Sequence, residues 1–352
     1  MPQIIFMQNH FFKLLKKVIR MLRLLMVFPL IVKEILSSKK INHITPLWIF
    51  RAYKELYIST KGYNEILPNL LLPKLRLEHN SNYCKVLEDL DNNGCSFLSK
   101  SFYFETKEFM ASACSIPFAS RVSKDVITLE DIRASASLLR GRYDAASQDL
   151  FNNIHFANIV TSPAITDLAS LLGPYTVITS ALMWVSFHCS EFSERSKSSQ
   201  VYHVDFDFLS DIKVFILLSD TSMLNGPLEY IIGTHKPINH HMFSLSEMKD
   251  DIVHSKYKPH HFRFFTGSVG EAYISNNRGI HRDYPPLPGN YKIGLQINFS
   301  RSRFGSEEVY LPSRPLLLDN HSSSLVWQKA IKEHPLLYSL LFKNPATCFS
   351  CL

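Results

Sequence analysis

The stretch SQVYHVDFDFLSDIKVFILLSD, residues 199–220, sets a histidine and an aspartate one residue apart, His203 and Asp205, just ahead of a long apolar run. That run is rich in β-branched and aromatic residues and reads as strand. In a strand, residues i and i+2 point to one face, so His203 and Asp205 present an imidazole and a carboxylate to the same side while Val204 turns away. The spacing alone leaves two readings open, half of a metal site or a hydrogen-bonded pair at a strand start.

Working outward, the segments YTVITSALMWVSFHC, LEYIIGTH, VGEAYIS and KIGLQINFS are short and strand-like, separated by Asn, Gly and Pro turns. Upstream of them lie helical signals. VLEDLDNNGCSFLSKSF (86–102) reads as a short helix, a turn at Asn92 to Gly94 and a strand, and a second helix starts near Thr128 with Glu130 and Asp131 in its first turn. In SPAITDLASLLG, Ser162 can cap a helix that Gly173 stops. Helices followed by a run of strands predict a β-sandwich or barrel with a helical cover.

A second histidine-aspartate pair, His281 and Asp283 around Arg282, matches the catalytic tripeptide of protein kinases. Pro285 and Pro286 follow it, and no Gly-rich phosphate loop precedes it, which argues against a kinase. The context points elsewhere. After the first pair come a buried strand, then NGPLEYIIGTHK (225–236), then TGSVGEAYISNNRGIHR (266–282), then the strictly alternating NYKIGLQINFS (290–300).

These segments, in this order, resemble the phytanoyl-CoA dioxygenase (PhyH-like) family of Fe(II)- and 2-oxoglutarate-dependent oxygenases. The resemblance covers roughly residues 85–300 and is strongest over 199–300. It implies an α+β fold, a double-stranded β-helix (jelly-roll or cupin-like) core flanked by helices. It also implies His203, Asp205 and His281 as iron ligands, with 2-oxoglutarate and dioxygen filling the three positions that such a set leaves open. Oxidative decarboxylation of 2-oxoglutarate would then be coupled to hydroxylation of a small-molecule or lipid-like substrate. Halogenation is not expected, because Asp205 occupies the place a halide would need. Eleven residues past His281, where the family places an arginine for the far carboxylate of 2-oxoglutarate, this chain has Lys292, a cation without the bidentate fork. Around it, Tyr291, Ile293, Leu295, Ile297 and Phe299 make one face, and Lys292, Gly294, Gln296, Asn298 and Ser300 the other, which lines a pocket or faces solvent.

The chain has 352 residues, 46% hydrophobic and 20% charged, enough for a large core. Its net charge of +7 is weighted toward the start. Nucleic acid is not expected as a partner, since neither an aromatic RNA-binding motif nor finger spacing occurs. The segment 11–32, FFKLLKKVIRMLRLLMVFPLIV, is a basic amphipathic pattern interrupted by Pro29, too short in its apolar part to span a bilayer. It reads as an interfacial helix or one packed on the body through its leucine face. The expected organisation is an N-terminal segment 1–40, a helical lead-in 41–84, an oxygenase domain 85–310 and a C-terminal extension 311–352. Six scattered cysteines fit a reducing cytoplasm, with peripheral membrane contact left to residues 11–32; the terminal pair Cys348 and Cys351 reads as tail.

Other residues carry weaker signals. His235 reads as structural, Trp184 as core or pocket wall, and His240, His241, His254, His260 and His261 as an exposed excursion between strands. The competing function is a non-catalytic jelly-roll binding or membrane-associated protein of the same fold that has lost cosubstrate use. A zinc hydrolase on the same ligands lacks an evident general base.

Overall fold

The computed structural model describes residues 81–98, 102–174, 176–205, 212–236, 247–301, 323–339 and 341–342. The amphipathic segment 11–32, the lead-in up to residue 80, His240, His241 and the Cys348–Cys351 pair lie outside the described residues.

From residue 177 onward the chain passes back and forth between two antiparallel sheets. β5 (Val177–Phe187), β7 (Ile212–Leu217), β11 (Ala272–Asn276) and β13 (Tyr291–Ser300) lie in one; β6 (Tyr202–His203), β8 (Leu228–Ile231), β10 (Phe262–Phe265) and β12 (His281–Asp283) lie in the other. The larger sheet is completed by β1 (Cys95–Phe97), β2 (Phe118–Ser120), β3 (Val126–Ile127) and β4 (Arg142–Ala145), in the order β1-β11-β7-β13-β5-β4-β2-β3. The smaller runs β10-β8-β12-β6-β9, with β9 at Glu247–Met248. Apart from β8, β9 and β10, which follow one another in the small sheet, successive strands alternate between the two sheets, the arrangement of a double-stranded β-helix, the jelly-roll core expected from the sequence.

Period-2 alternation decides what each sheet buries. On β13, Ile293, Leu295, Ile297 and Phe299 face outward with Val185 and Met183 of β5, into the main hydrophobic cluster. Helices cover that face: α1 (Ser81–Asn93), α2 (Lys107–Ser112), α3 (Leu129–Ser135), α4 (Ser147–Asn152), α5 (Ile154–Val160) and α6 (Pro163–Leu172). The helix signals hold. Thr128 and Asp131 form a reciprocal capping box on α3, and Gly94, with φ of +81°, turns α1 into β1. Ser162 stands before α6 without a side-chain cap bond, and Pro163 opens that helix instead.

On the inner face lie Trp184, Phe215, Leu217 and Tyr273, facing Leu228, Tyr230 and Phe265 of the small sheet. Gly294 makes room for this ring: a Cβ here would sit 2.7 Å from Cη2 of Trp184, so the indole would have to shift. Trp184 is thus core between the sheets. The small sheet's outer face packs Tyr202, Ile231 and Met248 against α8 (Asp250–Lys256), which follows α7 (Phe192–Lys197) in chain order. The expected loop around His254 therefore contains a helix, and His254 Nε2 lies 3.1 Å from the Tyr202 hydroxyl.

Residues 323–339 and 341–342 pack on the body. Trp327 on α9 (Ser324–Glu333) stacks on Phe151 at 5.3 Å, its Nε1 donates to Phe151 O at 3.0 Å, and the Ile178 amide donates to Leu337 O at 2.8 Å.

Candidate metal centre

His203 and His281 come from strands 78 positions apart in number yet are direct cross-strand partners on β6 and β12. Residues so paired project side by side, and their rings lie 4.3 Å apart between centroids. Asp205 follows His203 on the same face, its amide held by Asn277 O at 2.9 Å. Its Oδ1 is 3.7 Å from His203 Nε2 and its Oδ2 is 3.4 Å from His281 Nε2. One ligand atom from each of the three lies within 4.8 Å of the others, the one such cluster among the described residues. The sequence's three candidates meet.

The donor chemistry fits a divalent metal. His203 Nδ1 lies 2.8 Å from Val201 O and His281 Nδ1 lies 2.9 Å from Gly279 O. A carbonyl can only accept, so each Nδ1 carries the proton and each Nε2 keeps its lone pair, that of His281 accepting from Asn277 Nδ2 at 2.9 Å. Burial, helped by the facing His281 ring, lowers His203 to about 4, so its imidazole is neutral near pH 7. Burial alone would raise Asp205; the Lys213 ammonium beside it outweighs that and holds the carboxyl well below the usual range. Two imidazoles and one carboxylate on one side of an ion are the ligand set of non-haem ferrous sites with open positions.

Two partners of Asp205 are not evident in the sequence. Lys213 Nζ is 2.5 Å and Asn277 Nδ2 3.2 Å from Oδ2, leaving Oδ1 free of both. Asn277 also lies 2.9 Å from His281 Nε2 and accepts from Ser275 Oγ at 2.6 Å. The available signal for Lys213 is a lone cation at an inward position of the otherwise apolar IKVFIL; Asn277, in a turn, carries none.

A cavity of about 120 Å³ adjoins the three ligands. The large sheet contributes Leu182, Lys213, Phe215, Gln296 and Asn298, and Asp283 and Leu228 face them. The polar face of β13 therefore does line a pocket. Arg121 and Arg142 close one side, both bonded to Asp144. Lys292 points inward as expected but is 1% exposed, and its ammonium is 2.7 Å from Asp283 Oδ1. Asp283, the carboxylate of the second histidine-aspartate pair, is thus engaged by Lys292, and Asp205 completes the cluster. His235 is structural: its Nε2 donates to Asp91 O at 2.9 Å, tying β8 to α1.

No protein-family model and no curated protein matches the sequence. Solved structures align with the chain at low identity. The epimerase SnoN, in complex with Fe3+, alpha ketoglutarate and nogalamycin RO, is 12% identical over 61% of this chain and 82% of its own, with a TM-score of 0.41. EctD from S. alaskensis, with 2-oxoglutarate and 5-hydroxyectoine, is 15% identical over 60% and 74%, with a TM-score of 0.40. The non-heme monooxygenase ThoJ is 15% identical over 70% and 94%, also at 0.40. Likeness this distant assigns neither activity nor ligand, and the jelly-roll description rests on the strand order above.

No helix among the described residues is long and apolar enough to cross a membrane. Cys95, Cys114 and Cys189 are free thiols.

Proposed function

We propose that the protein is an Fe(II)- and 2-oxoglutarate-dependent dioxygenase that hydroxylates a small-molecule or lipid-like substrate in a reducing, cytoplasmic setting. The observation that carries this reading is the convergence of His203, Asp205 and His281, with one ligand atom of each within 4.8 Å of the others. When bound, ferrous iron with 2-oxoglutarate supplies the coupling of dioxygen reduction to oxidation of a substrate C–H bond.

The chain's own residues have definite tasks. Val201 O and Gly279 O fix the imidazole tautomers, and Lys213 with Asn277 holds one oxygen of Asp205 so that the other is presented to the ion. Leu182, Phe215 and Leu228 supply the apolar part of the cavity wall beside the ligands. Lys292 is the candidate for the distal carboxylate of 2-oxoglutarate, a role that requires Asp283 to yield its ammonium.

The test is succinate release from 2-oxoglutarate by purified protein, with a gain of one oxygen on a co-substrate found by metabolite comparison. Iron- and oxygen-dependent release that disappears in H203A and D205A supports the proposal. No release from an iron-loaded protein supports the non-catalytic jelly-roll, a reading that the engaged Lys292 favours.

A further inference from the structure

Lys292 and Asp283 are both nearly sealed, at 1% and 4% exposure, and 2.7 Å separates ammonium from carboxylate. They are not equivalent with respect to the cavity. Asp283 is among the residues that line it, two positions past His281 on the same strand face; Lys292 is not. A carboxylate entering from the metal side meets the Asp283 carboxylate before it meets the lysine.

Asp283 is also fixed in place. Its amide donates to Ser199 O at 2.8 Å, and it pairs with Leu228 across β12 and β8. Ser199, itself on the cavity wall, is the one non-glycine with positive φ among the described residues, at 59°. A residue held in that conformation marks a place where the surrounding structure dictates the backbone.

We propose that Asp283 is an internal counter-ion that competes with the distal carboxylate of 2-oxoglutarate for Lys292, and so sets the affinity for that acid. This inference rests on the proposed function. Two carboxylates cannot both hold full charge around one buried ammonium without repulsion, so the second arrives at reduced gain. A free lysine would favour a 2-oxo acid with a distal carboxylate over one without it by about tenfold or more, the worth of a charge-assisted hydrogen bond. With Asp283 in place most of that preference is lost, and 2-oxoglutarate binds weakly.

The experiment uses full-length protein loaded with Co(II), titrated anaerobically with 2-oxoglutarate and with 2-oxopentanoate, which has a methyl in place of the distal carboxylate. Calorimetry then gives the affinity ratio of the two acids. Wild type is expected to favour 2-oxoglutarate by less than about tenfold, and Asp283→Asn to raise that ratio by about tenfold or more. The double variant Lys292→Met with Asp283→Leu, which buries no charge at these positions, should bind the two acids about equally. A wild-type ratio above about a hundredfold, or an Asp283→Asn ratio unchanged from wild type, overturns the inference. Should Asp283→Asn not fold, the wild-type ratio alone decides between these outcomes. Cobalt and acids that bind with an unaltered ratio sink only this inference, whereas failure of Co(II) to bind wild type sinks the metal centre and this inference together.

Discussion

His281 and Arg282 are adjacent in sequence and lie on opposite faces of the small sheet, the histidine toward Asp205 and the arginine over the ring of Tyr202 at 4.0 Å. Arg282 is 2% exposed and bonds Glu229, also 2% exposed, at 2.5 Å and Asp250 at 2.9 Å. One strand of three residues therefore carries a metal ligand on its inner side and a buried ion network on its outer side.

Removing the arginine leaves Glu229 charged, buried and unpaired, so R282M should cost about 3–5 kcal/mol in urea unfolding. The charge-neutral pair R282M/E229Q should recover part of the loss. Equal stability of R282M and wild type would contradict the network's role.

Asn277 donates to Asp205 Oδ2 and so helps to orient that carboxylate; N277A should weaken Co(II) binding by about 10–100-fold while leaving the circular dichroism of the fold intact. Unchanged metal affinity would show that Lys213 alone orients the carboxylate.

Trp327 is fully buried on Phe151 and Phe342. W327A should therefore destabilise the jelly-roll by about 3–5 kcal/mol in denaturant titration, an outcome that a detached extension could not produce.

Asp144 lies between Arg121 and Arg142. Burial alone would raise its carboxyl; Arg142 and then Arg121 outweigh that and hold it below the usual range. A carboxyl lowered in the folded state contributes stability that is full above its unfolded value near pH 4 and lost as pH falls through the folded value. The stability difference between wild type and D144N should stay constant from about pH 5 to 8 and shrink below about pH 4. A difference that grows on acidification would contradict the pairing.

Much of this was legible because strands repeat every two residues. The alternation of 290–300 separated a helix-covered face from a cavity face, and the His-x-Asp spacing put two ligands on one side. His281 needed more than pattern, since its meeting with His203 depends on the register of β12 against β6, which no local signal carries. Lys213, Asn277 and the Arg121–Asp144–Arg142 cluster were missed for a related reason. β4 is the four residues RYDA, too short to show a period, and it finds its place only by pairing with β5. The pairing of Lys292 with Asp283 was equally hidden, because residues nine apart on different strands meet only once the intervening Pro285–Asn290 turn is built.

The most direct measurement is anaerobic absorption of protein loaded with one equivalent of Fe(II), before and after 2-oxoglutarate is added. The account predicts a weak visible charge-transfer band that appears with the acid in wild type and is absent in D205A and H281A. A flat spectrum from wild type with iron bound, or the same band in D205A, would contradict it.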